Sequence, residues 1–254
     1  MIDIHTHILP GVDDGSKNDV ESLLMLKAAI SEGIGTLVAT PHRNQRYVNE
    51  KPDILVQVNK LKQLAKENGL DVEILPGQEV RIYGELLADY SAGKLLTLGD
   101  HSSYLLVEFP FRQVPLYAEQ LLHEMVQSGI TPVIAHPERV LDFLENPEKL
   151  YKFVAQGALT QVTAASMTGY FGKKVQKFSH QLIESNLIHT LATDAHNLTD
   201  RSFSINDAYE EVRKKHGGKA VSYFKENAHL IIKDQPVDSK QPKPIDSKKF
   251  FGIF

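Results

Sequence analysis

The sequence predicts a fold of the α/β class, a closed or nearly closed barrel of about seven parallel strands. Short runs rich in β-branched residues alternate with longer amphipathic runs, which is typical of parallel strands joined by crossover helices. The chain has 254 residues, close to the size of α/β barrels. Since it contains no interior linker or internal repeat, one domain is the simplest interpretation.

The elements follow from the apolar periodicity along the chain. β-branched, apolar runs predict strands at residues 1–5, 36–40, 72–75, 104–108, 132–135, 159–162 and 188–192. A period near 3.6 residues predicts helices at residues 52–68, 116–128, 147–156, 174–186 and 205–216. A further helix is expected between Asn18 and Gly33, because Asn18 is a good N-cap, Glu21 completes a capping box and Gly33 suits the helix end.

Composition excludes several classes of protein. The chain has 28 Lys and Arg against 32 Asp and Glu, a formal charge of −4, which does not favour a nucleic-acid binder. It has neither a run of roughly 20 apolar residues nor the basic start of a signal peptide. We therefore expect a cytoplasmic protein that is not embedded in a membrane. The absence of Cys excludes disulfides, thiolate metal sites and a cysteine nucleophile.

The C-terminal residues differ in composition from the rest. Residues 1–232 are expected to form the folded domain, and residues 233–254 a flexible tail rich in Pro and Lys. The tail ends in the largely apolar residues 250–254. These residues either fold back onto the domain or dock onto a partner, which includes a second copy of the chain.

Chemically active side chains stand at the carboxyl ends of six predicted strands. Parallel α/β folds place their active sites there, since the strand ends converge at the barrel mouth. Two histidines separated by one residue point to the same side of a strand, as a shared metal requires. The residues at these positions are His5, His7, His42, Glu79, Glu108, His136, Asp194 and His196.

These side chains predict a metal site. Glu79 and Glu108 adjoin buried strands without an adjacent Lys or Arg, and a buried carboxylate is rarely left without a cation. Imidazole and carboxylate ligands without sulfur suit Mn²⁺, Fe²⁺ or Zn²⁺. Eight or nine ligands exceed the needs of one ion, so two or three ions are expected, with Glu79 as the bridging ligand. Asp13 or Asp14 would add a ligand, although Asp-Asp-Gly by itself is a turn sequence.

Arginines near these positions predict a phosphoryl substrate. Arg139 follows His136 by three residues, and Arg201 and Arg46 lie in the segments after two other candidate ligands. A guanidinium fork matches the oxygens of a phosphate. Two ions roughly 3.5–4 Å apart can clamp the attacking and leaving oxygens of a phosphate ester. We therefore expect phosphate-ester hydrolysis.

Seven motifs resemble the polymerase-and-histidinol-phosphatase (PHP) superfamily, and most closely its bacterial protein-tyrosine phosphatases of the CpsB/YwqE type. The motifs are Ile-Asp-Ile-His-Thr-His (2–7), Val-Asp-Asp-Gly (12–15), Thr-Pro-His (40–42), Gly-Gln-Glu (77–79), Val-Glu-Phe (107–109), Ile-Ala-His-Pro-Glu-Arg (134–139) and Thr-Asp-Ala-His-Asn (193–197). The resemblance covers residues 1 to about 232. It implies a distorted TIM-like (β/α)7 barrel, the PHP fold, which agrees with the alternation described above.

The resemblance also implies a trinuclear metal site. Mn²⁺ is the expected metal, with Fe²⁺, Zn²⁺ and Mg²⁺ as alternatives. Arg139 and Arg201 match the phosphate-contacting arginines of the family, and with His136 they are the expected catalytic residues. The implied ligand sets are His5, His7, Glu79 and Asp194 for one ion, Glu79, Glu108 and His136 for a second, and Asp14, His42 and His196 for the third.

The implied activity is hydrolysis of phosphotyrosine by a hydroxide that bridges the metal ions. The implied substrate is the C-terminal tail of a bacterial tyrosine kinase that controls capsule or exopolysaccharide synthesis. One alternative is a small-molecule phosphatase of the histidinol-phosphatase type. Another is an amidohydrolase, which is disfavoured because those enzymes usually bridge their ions through a modified Lys, where this chain has Glu79. A third is a scaffold that docks a kinase through residues 250–254.

Overall fold

Parallel strands form the centre of the fold. The computed structural model describes residues 1–245 of the chain, and the paired strands within them are parallel. This confirms the predicted α/β class. The strands are β1 (Ile2–Thr6), β2 (Thr36–Ala39), β3 (His42–Arg43), β4 (Glu73–Pro76), β5 (Glu79–Arg81), β6 (Tyr104–Glu108), β7 (Thr131–Ala135), β8 (Leu159–Thr163) and β9 (Thr190–Ala192).

Two kinks split the barrel into two sheets. Their strand orders are β1-β2-β4 and β3-β5-β6-β7-β8-β9, so β3 continues β2 and β5 continues β4 on the far side of each kink. Pro41 stands at the first kink, where its missing N–H interrupts the ladder. Gly77 stands at the second kink and packs closely against β2, since a Cβ on it would lie only 2.6 Å from Val38 Cγ1. The prediction missed β3 and β5 because it ended each strand at its kink.

The first and last strands meet through backbone contacts. Thr6 forms a parallel bridge with Ala195, and the His5 carbonyl accepts a 2.9 Å hydrogen bond from the Asp194 N–H. The chain therefore forms a distorted TIM-like barrel with seven strand positions. The carboxyl ends of β1 and β9 lie side by side in it.

Helices cover the outside of the barrel, and the six predicted helices correspond to α1, α2, α4, α6, α8 and α9. The helices are α1 (Asp19–Ser31), α2 (Lys51–Glu67), α3 (Leu86–Ser91), α4 (Ala118–Gln127), α5 (Leu141–Glu145), α6 (Pro147–Ala155), α7 (Ala164–Met167), α8 (Lys173–Glu184), α9 (Ile205–His216) and α10 (Gly218–Ile232). The prediction missed α3, α5, α7 and α10. For α10 a signal was present, since Val221, Phe224, Ala228 and Ile231 are buried at helical spacing.

The predicted N-cap of α1 is present, but the capping box is altered. The Asn18 side chain accepts a 3.0 Å hydrogen bond from the Glu21 N–H, as expected. The Glu21 carboxylate instead accepts from the Lys17 N–H at 2.9 Å, one residue before the position that a capping box uses. The helix start is stabilised as predicted, with a different second donor.

Apolar side chains alternate along the strands between two hydrophobic clusters. In β6, Leu105 packs in the cluster shared with the outer helices, whereas Leu106 packs in a smaller cluster. That smaller cluster includes Ile4 and Val133 of other strands and Ile231 of α10. It fills the barrel interior near α10, so the polar side chains gather at the opposite end, where the strands terminate.

Part of the C-terminal tail lies against the barrel. The Gln235 carbonyl accepts a 2.7 Å hydrogen bond from the Tyr104 hydroxyl, and the Lys243 N–H donates to the Ser185 carbonyl at 2.9 Å. Composition alone did not predict these contacts. The apolar residues 250–254, for which docking or folding back was expected, lie outside the described residues.

Candidate metal centre

The eight residues expected at the strand ends come together at the mouth of the barrel. All of them are buried except His42, which is intermediate in exposure. Asp14, in the loop after β1, joins them from the solvent side. The kinks after β2 and β4 turn His42 and Glu79 inward, where they pair in register across β3 and β5.

Glu79 lies at the centre of the cluster. Its Oε2 is 3.4 Å from His5 Nε2, 3.3 Å from His7 Nε2 and 2.7 Å from His42 Nδ1. Its Oε1 is 2.8 Å from His136 Nε2. One carboxylate thus contacts four imidazoles from the ends of three strands, the arrangement that a bridging ligand requires.

Asp194 connects the histidines to the two expected arginines. Its Oδ1 is 3.4 Å from the Nε2 atoms of both His5 and His7. Its Oδ2 accepts hydrogen bonds from Arg139 at 2.7 Å and from Arg201 at 2.8 Å. The arginines, with side chains 14% and 27% exposed, therefore stand between the cluster and solvent.

In the part of the chain that the structure describes, three groups of side chains place ligand-type atoms within 4.8 Å of one another. The group of His5, His7 and Glu79 lacks only Asp194 from one expected ligand set, and the group that contains Asp14, His42 and His196 includes another expected set. The remaining group differs from expectation, since it has His42 in place of His136, whose Nε2 lies 4.0 Å from Glu108. The groups are His5, His7 and Glu79; His42, Glu79 and Glu108; and His7, Asp14, His42 and His196.

Hydrogen bonds at Nδ1 orient three of the imidazoles. His5 Nδ1 lies 2.8 Å from Gln161 Oε1, His7 Nδ1 2.7 Å from Asp13 Oδ2, and His196 Nδ1 2.9 Å from the Asp194 carbonyl. An acceptor oxygen beside Nδ1 favours a proton there, which leaves the Nε2 lone pair directed into the cluster.

The two neighbouring aspartates have different surroundings. Asp13 also accepts from the His42 N–H at 3.0 Å and from the Gly15 N–H at 2.9 Å, so its oxygens are used in holding the loop and the His7 ring. Asp14 Oδ1 faces His42 Nε2 at 3.3 Å and His196 Nε2 at 3.5 Å. This placement favours Asp14 over Asp13 as a ligand. A Cβ on Gly15 would lie 2.1 Å from the His7 carbonyl oxygen, so the loop packs this closely only with glycine.

The donor set fits divalent metal ions. Within residues 1–245, several buried atoms of the cluster have no hydrogen-bond partner, although an unpaired buried polar atom is costly. Imidazole nitrogens and carboxylate oxygens of this kind suit Mn²⁺, Fe²⁺ and Zn²⁺. The atoms without a hydrogen bond of suitable geometry are His42 Nδ1, Glu79 Oε2, His136 Nδ1, Asp194 Oδ1 and His196 Nε2, although His42 Nδ1 and Glu79 Oε2 lie 2.7 Å apart.

Burial and the contacts between histidines and carboxylates set the ionisation of the cluster. Although burial opposes ionisation, the neighbouring histidines hold the pKa of Glu79 and of Asp194 well below their usual range. Burial, together with the negative charge of Glu79, raises the pKa of Glu108 to about 7. Burial lowers the pKa of His136 and His196 to about 4, so both imidazoles are neutral and able to bind a metal.

Two residues of the cluster have strained backbones. His136 has φ of 33° and Asp194 has φ of 54°, in the left-handed region that non-glycine residues rarely adopt. His136 directly follows β7, and Asp194 lies two residues after the end of β9. Each turns its side chain into the cluster. Strain of this kind is typical of functional sites.

The structure corrects the expectation that neither buried carboxylate has a cationic partner. Arg81 Nε donates a 2.8 Å hydrogen bond to Glu108 Oε2. A signal was available, because Arg81 stands two residues after Glu79 and therefore on the same side of β5. Gln161, a buried amide within strand β8, was not predicted either.

The candidate arginines occupy different environments. The Arg139 guanidinium lies 5.0 Å from the Phe111 ring centroid and 4.6 Å from that of Phe171, so two aromatic rings fix its orientation. In the described part of the chain Arg46 forms no ion pair with the cluster, and its guanidinium lies 5.0 Å from the Tyr47 ring centroid. The geometry thus brings Arg139 and Arg201 to the centre and leaves Arg46 outside it.

Known proteins resemble this chain over most of its length. The model of the family described as capsular polysaccharide synthesis, CpsB/CapC, matches residues 1–233. The chain is 44% identical over 256 residues to the tyrosine-protein phosphatase YwqE of Bacillus subtilis (strain 168), with both chains covered completely. It is 36% identical over 244 residues to the tyrosine-protein phosphatase CpsB of Streptococcus pneumoniae, covering 92% of this chain and 99% of the relative.

Solved structures extend the similarity to three dimensions. The chain superposes with a TM-score of 0.95 and 42% identity on a crystal structure, covering 97% of this chain and 100% of the other. That structure comes from work on YwqE of Bacillus subtilis and CpsB of Streptococcus pneumoniae, which are described as unique metal-dependent tyrosine phosphatases. A β-aspartyl dipeptidase of Fervidobacterium islandicum shares the fold alone, with a TM-score of 0.54 and 12% identity over 95% of this chain and 75% of the other.

Proposed function

Because the chain belongs to the CpsB/CapC family of capsular polysaccharide synthesis, we propose that it is a metal-dependent protein-tyrosine phosphatase. The observation that carries the proposal is the convergence of unpaired buried nitrogen and oxygen atoms beside two arginines. The relatives named as tyrosine-protein phosphatases support it. With no Cys in the chain, a cysteine nucleophile is excluded.

We propose that two or three divalent ions bind to the cluster, with Mn²⁺ as the expected metal and Fe²⁺, Zn²⁺ or Mg²⁺ as alternatives. When bound, such ions polarise phosphoryl oxygens and lower the pKa of water toward neutrality. Glu79 is the proposed bridging ligand, since it contacts four of the imidazoles. The full proposed ligand set is His5, His7, Asp14, His42, Glu79, Glu108, His136, Asp194 and His196.

Arg139 and Arg201 would bind the phosphoryl oxygens. Each guanidinium has five N–H donors, and each uses one nitrogen on Asp194 Oδ2, so donors remain for the substrate. Their positive charges would stabilise the charge that spreads over the phosphoryl oxygens as the ester bond breaks. Phenolate needs little help as a leaving group, because the pKa of free tyrosine is about 10.

The expected protein substrate is the C-terminal tail of a bacterial tyrosine kinase, and we propose a cytoplasmic location. The net charge of −4 does not favour nucleic acid as a partner. None of the helices within residues 1–245 has the length and apolar character needed to span a bilayer.

The proposal can be tested by metal removal and a pair of matched variants. Chelator-treated protein should lose turnover of a phosphotyrosine peptide and regain it with Mn²⁺. His196→Ala should weaken metal binding and reduce turnover by at least about tenfold, whereas His123→Ala, at an exposed position on α4, should change neither.

Two outcomes would contradict the proposal. One is the absence of phosphotyrosine turnover by protein whose metal content has been verified. The other is faster turnover of histidinol phosphate than of phosphotyrosine peptides, which would assign the site to a small-molecule phosphatase.

A further inference from the structure

A groove lined by three arginines opens beside the candidate metal centre. Its volume is about 780 Å³, within the range of ligand-binding clefts. Arg43, Arg46 and Arg81 contribute to its walls together with Tyr83 and Tyr117.

The groove adjoins the metal centre through Arg81 and through Arg43, the neighbour of His42 in the chain. Arg43 directly follows His42 in β3, so its side chain points to the opposite side of the strand. Arg81 spans the two regions, because it lines the groove while its Nε donates to Glu108 Oε2 at 2.8 Å. A peptide whose phosphotyrosine enters the centre would therefore place flanking residues in this groove.

Two of the arginines have unused hydrogen-bonding capacity. Arg43 NH1 is buried without a hydrogen-bond partner, and the carboxylates nearest its guanidinium nitrogens, Glu50 and Asp89, are 3.8 and 3.6 Å away. Arg46 forms no ion pair with any residue between 1 and 245, and stacks on Tyr47. A buried donor without an acceptor is costly, and an anionic ligand would relieve that cost.

Glu85 is the acidic residue of the groove lining. Arg81 is paired with Glu108, and Arg43 lies within ion-pair distance of Glu50 and Asp89. Arg46 is therefore the groove cation without a carboxylate partner within residues 1–245, and Arg43 adds one unpaired donor, NH1. The groove lining has three arginines and one glutamate, although the chain as a whole has a net charge of −4. This local excess of positive charge in the lining favours a negatively charged ligand.

We propose that the groove binds an anionic side chain of the substrate peptide, close in sequence to the phosphotyrosine. The proposal rests on the proposed phosphatase function and specifies its substrate class: phosphotyrosine peptides with acidic flanking residues. The anion is either a carboxylate of Asp or Glu or the phosphate of a second phosphotyrosine. Both would pair with the guanidinium groups of Arg43 and Arg46.

The test measures kcat/KM of the Mn²⁺-loaded protein on four peptides of equal length. Each has one central phosphotyrosine, flanked by Glu, Ala, Lys or a second phosphotyrosine, and free phosphotyrosine serves as the reference substrate. The readout is the ratio of each flanked peptide to the Ala peptide, since this ratio cancels effects on the reacting atoms. The variants are Arg46→Glu and Arg43→Gln, with Arg213→Glu on α9, 52% exposed, as the matched control.

We expect the wild-type protein to prefer the Glu peptide over the Ala peptide by roughly two- to fivefold, as for partly exposed ion pairs. Arg46→Glu should abolish the preference, Arg43→Gln should reduce it, and Arg213→Glu should leave it unchanged. The preference should also fall as salt is added. A larger ratio for the doubly phosphorylated peptide than for the Glu peptide would identify phosphate as the preferred anion.

Equal ratios for the Glu, Ala and Lys peptides would overturn the proposal, as would a preference that survives in Arg46→Glu. The proposal would also be overturned, in favour of a membrane surface, if the protein binds anionic vesicles through Arg46 while Arg46→Glu leaves the peptide ratios unchanged. If free phosphotyrosine is not hydrolysed, the proposed function fails by itself. Fluorescence anisotropy of the same labelled peptides then still tests the groove, with the same expected order of affinities.

Discussion

Replacement of Asp13 by Asn should weaken metal binding without removing a metal ligand. The Asp13 carboxylate holds the His7 ring through Nδ1 at 2.7 Å and the His42 backbone N–H at 3.0 Å. Removing such an outer partner of a ligating histidine typically costs 10–100-fold in metal affinity, about 1.4–2.7 kcal/mol. Asn keeps an acceptor oxygen but loses the charge, so we expect the lower end, about tenfold.

The assay is a titration of Mn²⁺ into chelator-treated protein, followed by phosphotyrosine turnover and by elemental analysis at saturation. Asp13→Asn should need about ten times more Mn²⁺ but should reach the wild-type number of bound ions. Asp14→Asn should bind fewer ions even at saturation, because Asp14 faces His42 and His196 directly. Asp71→Asn, at an exposed position, is the control for loss of a carboxylate.

The opposite order would refute this reasoning. If Asp13→Asn lowers the number of bound ions while Asp14→Asn only weakens their affinity, Asp13 is the ligand and Asp14 the outer partner. An unchanged Mn²⁺ requirement in Asp13→Asn would show that the 2.7 Å contact to His7 does not position a ligand at all.

Three further predictions concern the substrate arginines, the core and the response to pH. Arg201→Ala should lower kcat on phosphotyrosine by about 10²-fold at unchanged metal content, since one donor to the developing charge is lost; an equal kcat would remove Arg201 from the reaction. Phe143→Ala should lower the free energy of unfolding by about 3–5 kcal/mol in urea denaturation, because the ring is fully buried against Phe109; a loss below about 1 kcal/mol would mean that the core repacks. Burial lowers the pKa of His189 to about 4, so below pH 6.5 the unfolded chain takes up a proton that the folded chain does not, and stability falls as the pH decreases toward 4. Between pH 6.5 and 5 the wild-type protein should therefore lose about 1.6 kcal/mol more than His189→Gln, and identical losses in the two proteins would contradict the buried, neutral state of His189.

Much of the fold could be predicted because its signals are local. The strand positions follow from short β-branched runs, and the start of α1 follows from Asn18, whose side chain accepts from the helix N-terminus. The short strands β3 and β5 could not be predicted in this way. They depend on pairing across the kinks, where only two or three residues continue each strand.

The candidate site was predictable in its membership but less so in its contacts. Reading each strand to its last residue selects His5, Glu108 and Asp194, which the structure brings into one cluster. The pairing of Arg81 with Glu108 and the position of Arg46 outside the cluster were not predicted. Both depend on how far a long side chain reaches between strands, which spacing along one strand does not encode.

The sequence by itself determined which side chains stand at the barrel mouth, because alternation along a strand and the parallel direction of the strands are set by local patterns. Only the tertiary structure decided which atoms face each other there. It directed Asp13 to the outer nitrogen of His7 and Asp14 to the His42 ring. It also made His42 a neighbour of both Glu79 and Glu108 and placed Asp194 between the histidines and the arginines. These relations arise when distant segments meet, since a contact of about 3 Å depends on barrel closure and on the turns after each strand.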